Sequence, residues 1–154
     1  MSELREKMAK LGLFFPETTP PLGAYVPALR TDRYIITSGQ LPMEKGELKF
    51  QGTVGTDLDV EEGYEAAKLC VLNCLSAVNS IVGNLEKVEK IIRLTGYIAC
   101  REDFTEHSKV MNGASDLLVA LFGEDGRHTR SVVGVRNLPL GAPVEVELTA
   151  TLRK

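Results

Sequence analysis

Residues 144–152 alternate strictly between apolar and polar side chains, and this pattern limits the folds open to the chain. One side of the predicted strand is apolar and the other is polar; the apolar set is Val144, Val146, Leu148, Ala150 and Leu152, and the polar set is Glu145, Glu147, Thr149 and Thr151. Successive side chains of a strand point to opposite faces of a sheet. We therefore expect helices on the apolar face, and a polar second face that is either solvated or buried against another subunit.

Two long helices are predicted between the strands. Apolar residues recur at helical spacing from Tyr64 to Val82, after Asp59 and before a terminating Gly83. A second helix is predicted from about 104 to 122, and strands at 88–99, 129–136 and 143–154. With an earlier hairpin, the order β-β-α-β-α-β-β predicts an α+β sheet with both helices on one face.

The N-terminal third is predicted to hold a short helix, an irregular stretch and a hairpin. Ser2 is the expected cap of a helix that runs through Lys10, with Leu4, Met8 and Leu11 as its apolar stripe. Three prolines make 14–23 irregular. The hairpin joins 24–30 to 34–42, and after a turn at 43–46 the segment 48–55 is predicted to form a short edge strand.

Size and charge exclude several classes of protein. The 154 residues suit one domain, with residues 1–21 as an additional N-terminal helix and lead-in. The net charge is −3 and no Lys/Arg tract occurs, which argues against a dedicated nucleic-acid surface. The N-terminus carries charges every few residues, so no signal peptide is predicted. No apolar run is long enough to predict a membrane span. Three cysteines without framework spacing favour a reduced, cytoplasmic setting.

Five short motifs occur in order along the chain and resemble those of the Rid (YjgF-like) family. They are Gly23-Ala24-Tyr25, Ser38-Gly39-Gln40-Leu41-Pro42, Arg130-Ser131, Leu138-Pro139 and Val144-Glu145-Val146. The resemblance extends from about 22 to 153. It implies a chorismate-mutase-like fold, assembled as a homotrimer with clefts between neighbouring subunits.

The resemblance also implies an activity, which is hydrolysis of reactive enamines and imines to a 2-oxo acid and ammonia, without metal or cofactor. Arg130 corresponds to the arginine that holds the substrate carboxylate, and Glu145 to the acid that positions the attacking water. Tyr25 corresponds to a tyrosine of the cleft wall, and Asn112 falls near an asparagine of the family. Further candidate substrate contacts are Ser38, Gly39 and His128.

The residue types suit this chemistry. A guanidinium binds a carboxylate through two parallel hydrogen bonds and stays charged at any working pH. A carboxylate can take a proton from water as a general base. If 137–142 (NLPLGA) forms a hairpin, Arg130 lies opposite Thr149 and Glu145 opposite Gly134. The two sites would then lie about 13 Å apart along the ladder, at about 3.3 Å per residue.

Other interpretations stay open at this point. Arg130, Glu145 and Tyr25 could be ordinary strand residues, and His107 is expected on a helix surface. Cys70 and Cys74 share a helix face and are predicted to be core thiols rather than metal ligands. The chain could also be a small-molecule binding trimer without turnover, or a ribonuclease.

Three residues near Arg130 depart from the deaminase pattern of the family. His128 stands where proline is common, Val132 where cysteine is common, and Gly134 where an acidic residue is frequent. These changes lie at the predicted cleft, so the sequence predicts a divergent branch with a substrate of its own.

Overall fold

A computed structural model describes residues 3–18 and 20–154, so the cap predicted at Ser2 lies outside the described residues. The described residues form three α-helices, seven strands and three short 3-10 turns. In chain order they are α1 Glu3–Lys10, β1 Ala28–Thr31, β2 Tyr34–Thr37, β3 Met43–Glu44, β4 Glu47–Leu48, α2 Val60–Val82, a turn Leu85–Lys87, β5 Val88–Ala99, α3 His107–Phe122, a turn Gly123–Gly126, β6 Thr129–Val135, a turn Pro139–Gly141 and β7 Val144–Leu152.

Five strands form one mixed sheet in the order β1-β2-β7-β5-β6, and β3 and β4 form a separate small hairpin. β5 and β6 run parallel, because α3 connects them as a crossover, and the other neighbours are antiparallel. The predicted element order and the placement of both long helices on the apolar face are confirmed. The fold is α+β.

The hairpin predicted at 137–142 is wrong. β6 and β7 do not pair with each other, because β5 lies between them and pairs with both. β5 and β7 are the longest strands and bury most of their apolar side chains, so they occupy the middle of the sheet. β6 is more exposed and lies at the edge. Arg130 is therefore level with Leu148, and Glu145 with Val133, each pair two strands apart.

Helix α2 is the central core helix. The Asp59 side chain accepts a hydrogen bond from the backbone N–H of Glu62, and the Glu62 side chain accepts one from the backbone N–H of Asp59. This reciprocal pair satisfies two N–H groups that have no partner within the helix. Gly83 ends it in the left-handed region, as its place in the sequence predicted. By length and composition the helix could cross a membrane, but 67% of its most apolar window is buried inside the protein. Cys70 and Cys74 lie on its buried face and donate to the carbonyls of Val144 and Val146.

Helices α2 and α3 approach closely at Gly113. A Cβ added there would overlap the backbone carbonyl oxygen of Tyr64 on α2. Nearby, the Tyr64 hydroxyl donates to Asp116 Oδ2 at 2.8 Å, and this bond raises the pKa of Tyr64 to about 12. Glycine at 113 thus sets the spacing between the helices and the position of α3 over the sheet.

Several predicted boundaries differ from the structure. Leu4 and Met8 of α1 are buried, but Leu11 is exposed and lies past the end of the helix. β1 begins at Ala28, four residues later than predicted, because 22–25 bend ahead of Pro27. The edge strand predicted at 48–55 is wrong: only Leu48 belongs to a strand, and it pairs back onto Met43.

The open face of the sheet is mixed rather than polar. The polar residues of β7 lie on it as predicted, but so do the exposed side chains of Leu29, Ile36 and Val133. These three side chains make the open face less polar than the alternation of β7 alone predicted.

Candidate functional site

The predicted site residues fall into two groups on opposite faces of the sheet. Arg130 is level with the buried Leu94 and shares its helix-facing side. Glu145 pairs with Tyr97 on the open side. Directly paired residues share a face, so the two functional side chains leave the sheet in opposite directions.

The arginine half-site consists of Arg130, Asn112, Ser115 and His128. Nη1 of Arg130 donates to Asn112 Oδ1 at 2.9 Å and to Ser115 Oγ at 3.0 Å, so helix α3 holds the guanidinium by one nitrogen. Among residues 3–18 and 20–154, no hydrogen bond engages its Nε or Nη2. That edge of the guanidinium offers the two parallel donors that a carboxylate accepts.

His128 supports the arginine through Ser115. Its Nδ1 lies 2.7 Å from the carbonyl oxygen of Gly126, and its Nε2 lies 2.9 Å from Ser115 Oγ. A carbonyl can only accept, so Nδ1 carries the proton, and in the neutral ring Nε2 accepts from the Ser115 hydroxyl. Ser115 in turn accepts from Arg130. Both ring nitrogens of His128 thus have partners within the subunit, and the substrate contact predicted for this residue stays a prediction.

The glutamate half-site consists of Glu145, Gly39, Ser38 and Tyr25. The Glu145 carboxylate packs against the backbone of Gly39. A Cβ added at position 39 would lie only 2.6 Å from Glu145 Oε1, so any other residue there would clash with the carboxylate. Tyr25 is 51% exposed and accepts from the backbone N–H of Leu22 at 3.3 Å. Tyr25 and Gly39 line one small cavity of about 70 Å³. The Ser38 hydroxyl donates to the carbonyl oxygen of Val26 at 2.6 Å, which makes it a support of this loop.

The Glu145 carboxylate lies in an unfavourable electrostatic setting. Burial raises its pKa, and the nearby Glu147 carboxylate raises it further. Glu147 accepts a hydrogen bond from the Tyr97 hydroxyl at 2.9 Å, and this bond raises the pKa of Tyr97. A carboxylate whose pKa is raised is a stronger base than an ordinary carboxylate.

One subunit alone cannot bring the two half-sites together. Arg130 and Glu145 lie two strands apart and three residues out of level, which places their Cα atoms roughly 14 Å apart with side chains on opposite faces. The structure thus unites Arg130 with Asn112 and Glu145 with Gly39, but leaves the pairs separate. Ser115 escaped the sequence analysis, although its place one helical turn after Asn112 was a usable signal.

Comparisons with known proteins agree with this fold. A family model described as "YjgF/chorismate mutase-like, putative endoribonuclease" matches residues 5–152. Protein TCP17 of Trypanosoma cruzi is 38% identical over 146 residues, which are 94% of this chain and 91% of that protein. The crystal structure of a "putative endoribonuclease" from Shewanella oneidensis MR-1 has a TM-score of 0.95 and 36% identity, covering 98% of this chain and 100% of the other. E. coli TdcF with bound serine has a TM-score of 0.62 and 25% identity, covering 91% and 94%.

Proposed function

Since this chain belongs to the YjgF/chorismate mutase-like family, we propose that it is a cofactor-free hydrolase that deaminates small imines and enamines bearing a carboxylate. The observation that carries the proposal is the arginine half-site. Asn112 and Ser115 fix Arg130 by one nitrogen and leave the other edge of its guanidinium unoccupied by any described residue. A serine molecule bound to the relative TdcF is a small carboxylate with an adjacent nitrogen, which is the shape required here.

Glu145 supplies the second function. We assign it the role of general base, which takes a proton from the water that attacks the imine carbon. Its partial burial and the glycine beneath it keep the carboxylate in one place. Imine hydrolysis is easy in water, so placing the water and the carboxylate correctly accounts for most of the acceleration we expect.

Assembly is needed to complete such a site. We propose a closed ring of three subunits in which the arginine half-site of one subunit faces the glutamate half-site of the next. Head-to-tail contacts of this kind close into rings and form one composite site per interface. The separation of Arg130 from Glu145 within a subunit and the mixed open face support this arrangement.

The decisive experiment measures ammonia release. An imino acid is generated in the reaction vessel by oxidation of the corresponding amino acid, and ammonia is followed with and without the protein. Acceleration in proportion to protein concentration, by a species of trimer mass in light scattering, is the expected result. A folded trimer that leaves the spontaneous rate unchanged would contradict hydrolysis and favour the binding trimer instead.

Arg130→Gln is expected to raise the KM for imino acids about 10- to 100-fold, because a charge-assisted pair of hydrogen bonds is lost. The matched control is Arg30→Gln, which removes an exposed charge from β1 at the opposite edge of the sheet. Equal effects of Arg130→Gln and Arg30→Gln would show that Arg130 does not bind the carboxylate.

Ser115→Ala is expected to raise the KM for imino acids about fivefold, since one of the two hydrogen-bond acceptors that hold the Arg130 guanidinium is removed.

The ribonuclease interpretation follows from the family's description as a "putative endoribonuclease". A net charge of −3 gives it little support, since RNA binding relies on clustered Lys and Arg. The same preparations test it: RNA cleavage that Arg130→Gln abolishes would favour a nuclease, and cleavage that survives in every variant would indicate contamination.

A further inference from the structure

A cysteine and a histidine meet outside both half-sites. Cys100 follows the end of β5 and His107 begins α3, and Cys100 Sγ lies 3.6 Å from His107 Nε2, within hydrogen-bonding distance for sulfur. The edge of the Phe104 ring packs against the imidazole, with ring centres 5.3 Å apart. Both members of the pair are half-buried, whereas Cys70 and Cys74 are fully buried.

Gly134 of strand β6 makes room for the pair. A Cβ added at this position would lie 2.8 Å from Cys100 Sγ and 2.8 Å from His107 Nε2. Gly134 is level with the buried Ile98, so it faces the helices, as does Arg130 four residues earlier. The thiol and the imidazole therefore rest directly on the backbone of the edge strand, and any other residue at 134 would push them apart.

We propose that Cys100 is a nucleophilic thiol, with His107 as its base, that forms covalent adducts with small carbon electrophiles carrying a carboxylate. The inference does not require imine hydrolysis and stands or falls separately from it.

The chemical step needs no oxidant or further reactant. His107 Nε2 takes the thiol proton, and the sulfur electron pair forms an Sγ–C bond to the electrophilic carbon. The π electrons of the C=N or activated C=C bond move to its far atom, which then receives the proton from His107. Burial raises the pKa of the Cys100 thiol, so the resting group is the neutral thiol and depends on His107 for activation.

The position of Arg130 on β6 indicates which electrophiles are favoured. Arg130, Val132 and Gly134 share the helix-facing side of this strand, with the arginine at one end and the Cys100–His107 pair at the other. The guanidinium lies at the level of Asn112, five residues from His107 along α3, which is about 7.5 Å at 1.5 Å per residue. A small molecule can therefore place an anionic group at Arg130 and an electrophilic carbon near Cys100.

The test measures alkylation by two matched probes, neutral iodoacetamide and anionic iodoacetate, in which the S–C bond forms as iodide leaves. Intact-mass kinetics are recorded for the wild type and for Cys100→Ser, His107→Gln, Arg130→Gln and Arg30→Gln. Gly134→Ala provides a second variant, because its added methyl separates the pair on an exposed strand without touching the core. Circular dichroism verifies that each variant is folded.

The expected result is one adduct, absent in Cys100→Ser, whose rate of formation falls on the order of 100-fold in His107→Gln and falls also in Gly134→Ala. The ratio of the iodoacetate rate to the iodoacetamide rate should drop about fivefold in Arg130→Gln and stay constant in Arg30→Gln. An unmodified wild type, or equal rates in wild type and His107→Gln, would overturn the activated thiol. A constant ratio in Arg130→Gln would overturn the carboxylate preference.

Discussion

Glu145→Gln is expected to lower the turnover number for imino acid hydrolysis by about 10² to 10³, with little change in the affinity for a 2-oxo acid product. Glutamine preserves the shape of the side chain over Gly39 but cannot take a proton from water. Ammonia release at saturating imino acid measures the turnover, and calorimetric titration with the product measures the affinity. The matched control is Glu147→Gln, which changes the neighbouring carboxylate of the same strand face and is expected to cost less than tenfold.

Two results would contradict this assignment. Glu145→Gln with wild-type turnover would show that another group activates the water. A loss of product affinity as large as the loss of turnover would indicate a binding role for Glu145, as in a trimer that binds small molecules without converting them.

The same substitution is expected to raise stability at neutral pH. Burial and Glu147 raise the pKa of Glu145 in the folded protein above that of the unfolded chain. The native state thus favours the protonated form, and its stability declines as the pH rises through the raised pKa. The melting temperature of Glu145→Gln should exceed that of the wild type at pH 7. The difference between the two proteins should shrink below about pH 4, where Glu145 is protonated in both the folded and the unfolded wild type.

Gly113→Ala is expected to lower the free energy of unfolding by about 3 kcal/mol, because the new methyl would overlap the carbonyl oxygen of Tyr64 on the facing helix. Helix propensity alone predicts the opposite sign, since alanine is about 1 kcal/mol more favourable than glycine inside a helix. Urea unfolding at one fixed protein concentration measures the change. The control is Ala120→Gly at an exposed position of the same helix, where a loss of about 1 kcal/mol is expected.

A variant at least as stable as the wild type would mean that α2 and α3 separate at little cost. A destabilised but folded variant should also bind carboxylates more weakly, because α3 carries Asn112 and Ser115, which hold Arg130.

The elements of the fold were largely predictable from local patterns. Asp59 and Gly83 delimit α2, and the alternation of 144–152 defines both faces of β7, because capping and side-chain periodicity act within a few residues. The motifs also indicated Arg130, Gly39 and Glu145 as site residues, and the family resemblance indicated Asn112. Each of these residues lies where it can contribute to a site, and their roles stay predictions.

The pairing of strands and the contacts between site residues join segments that lie far apart in the chain. Only the tertiary structure decided them. A hairpin at 137–142 was a reasonable local inference, but the burial of β5 in the middle of the sheet separates β6 from β7. That insertion places Arg130 and Glu145 on opposite faces of the sheet, whereas the predicted hairpin would have put them on the same face. It also leaves Gly134 beneath Cys100 and His107, a contact that no local pattern encodes. Residue type and periodicity are written in the sequence, whereas strand order follows from how the whole chain buries its apolar surface.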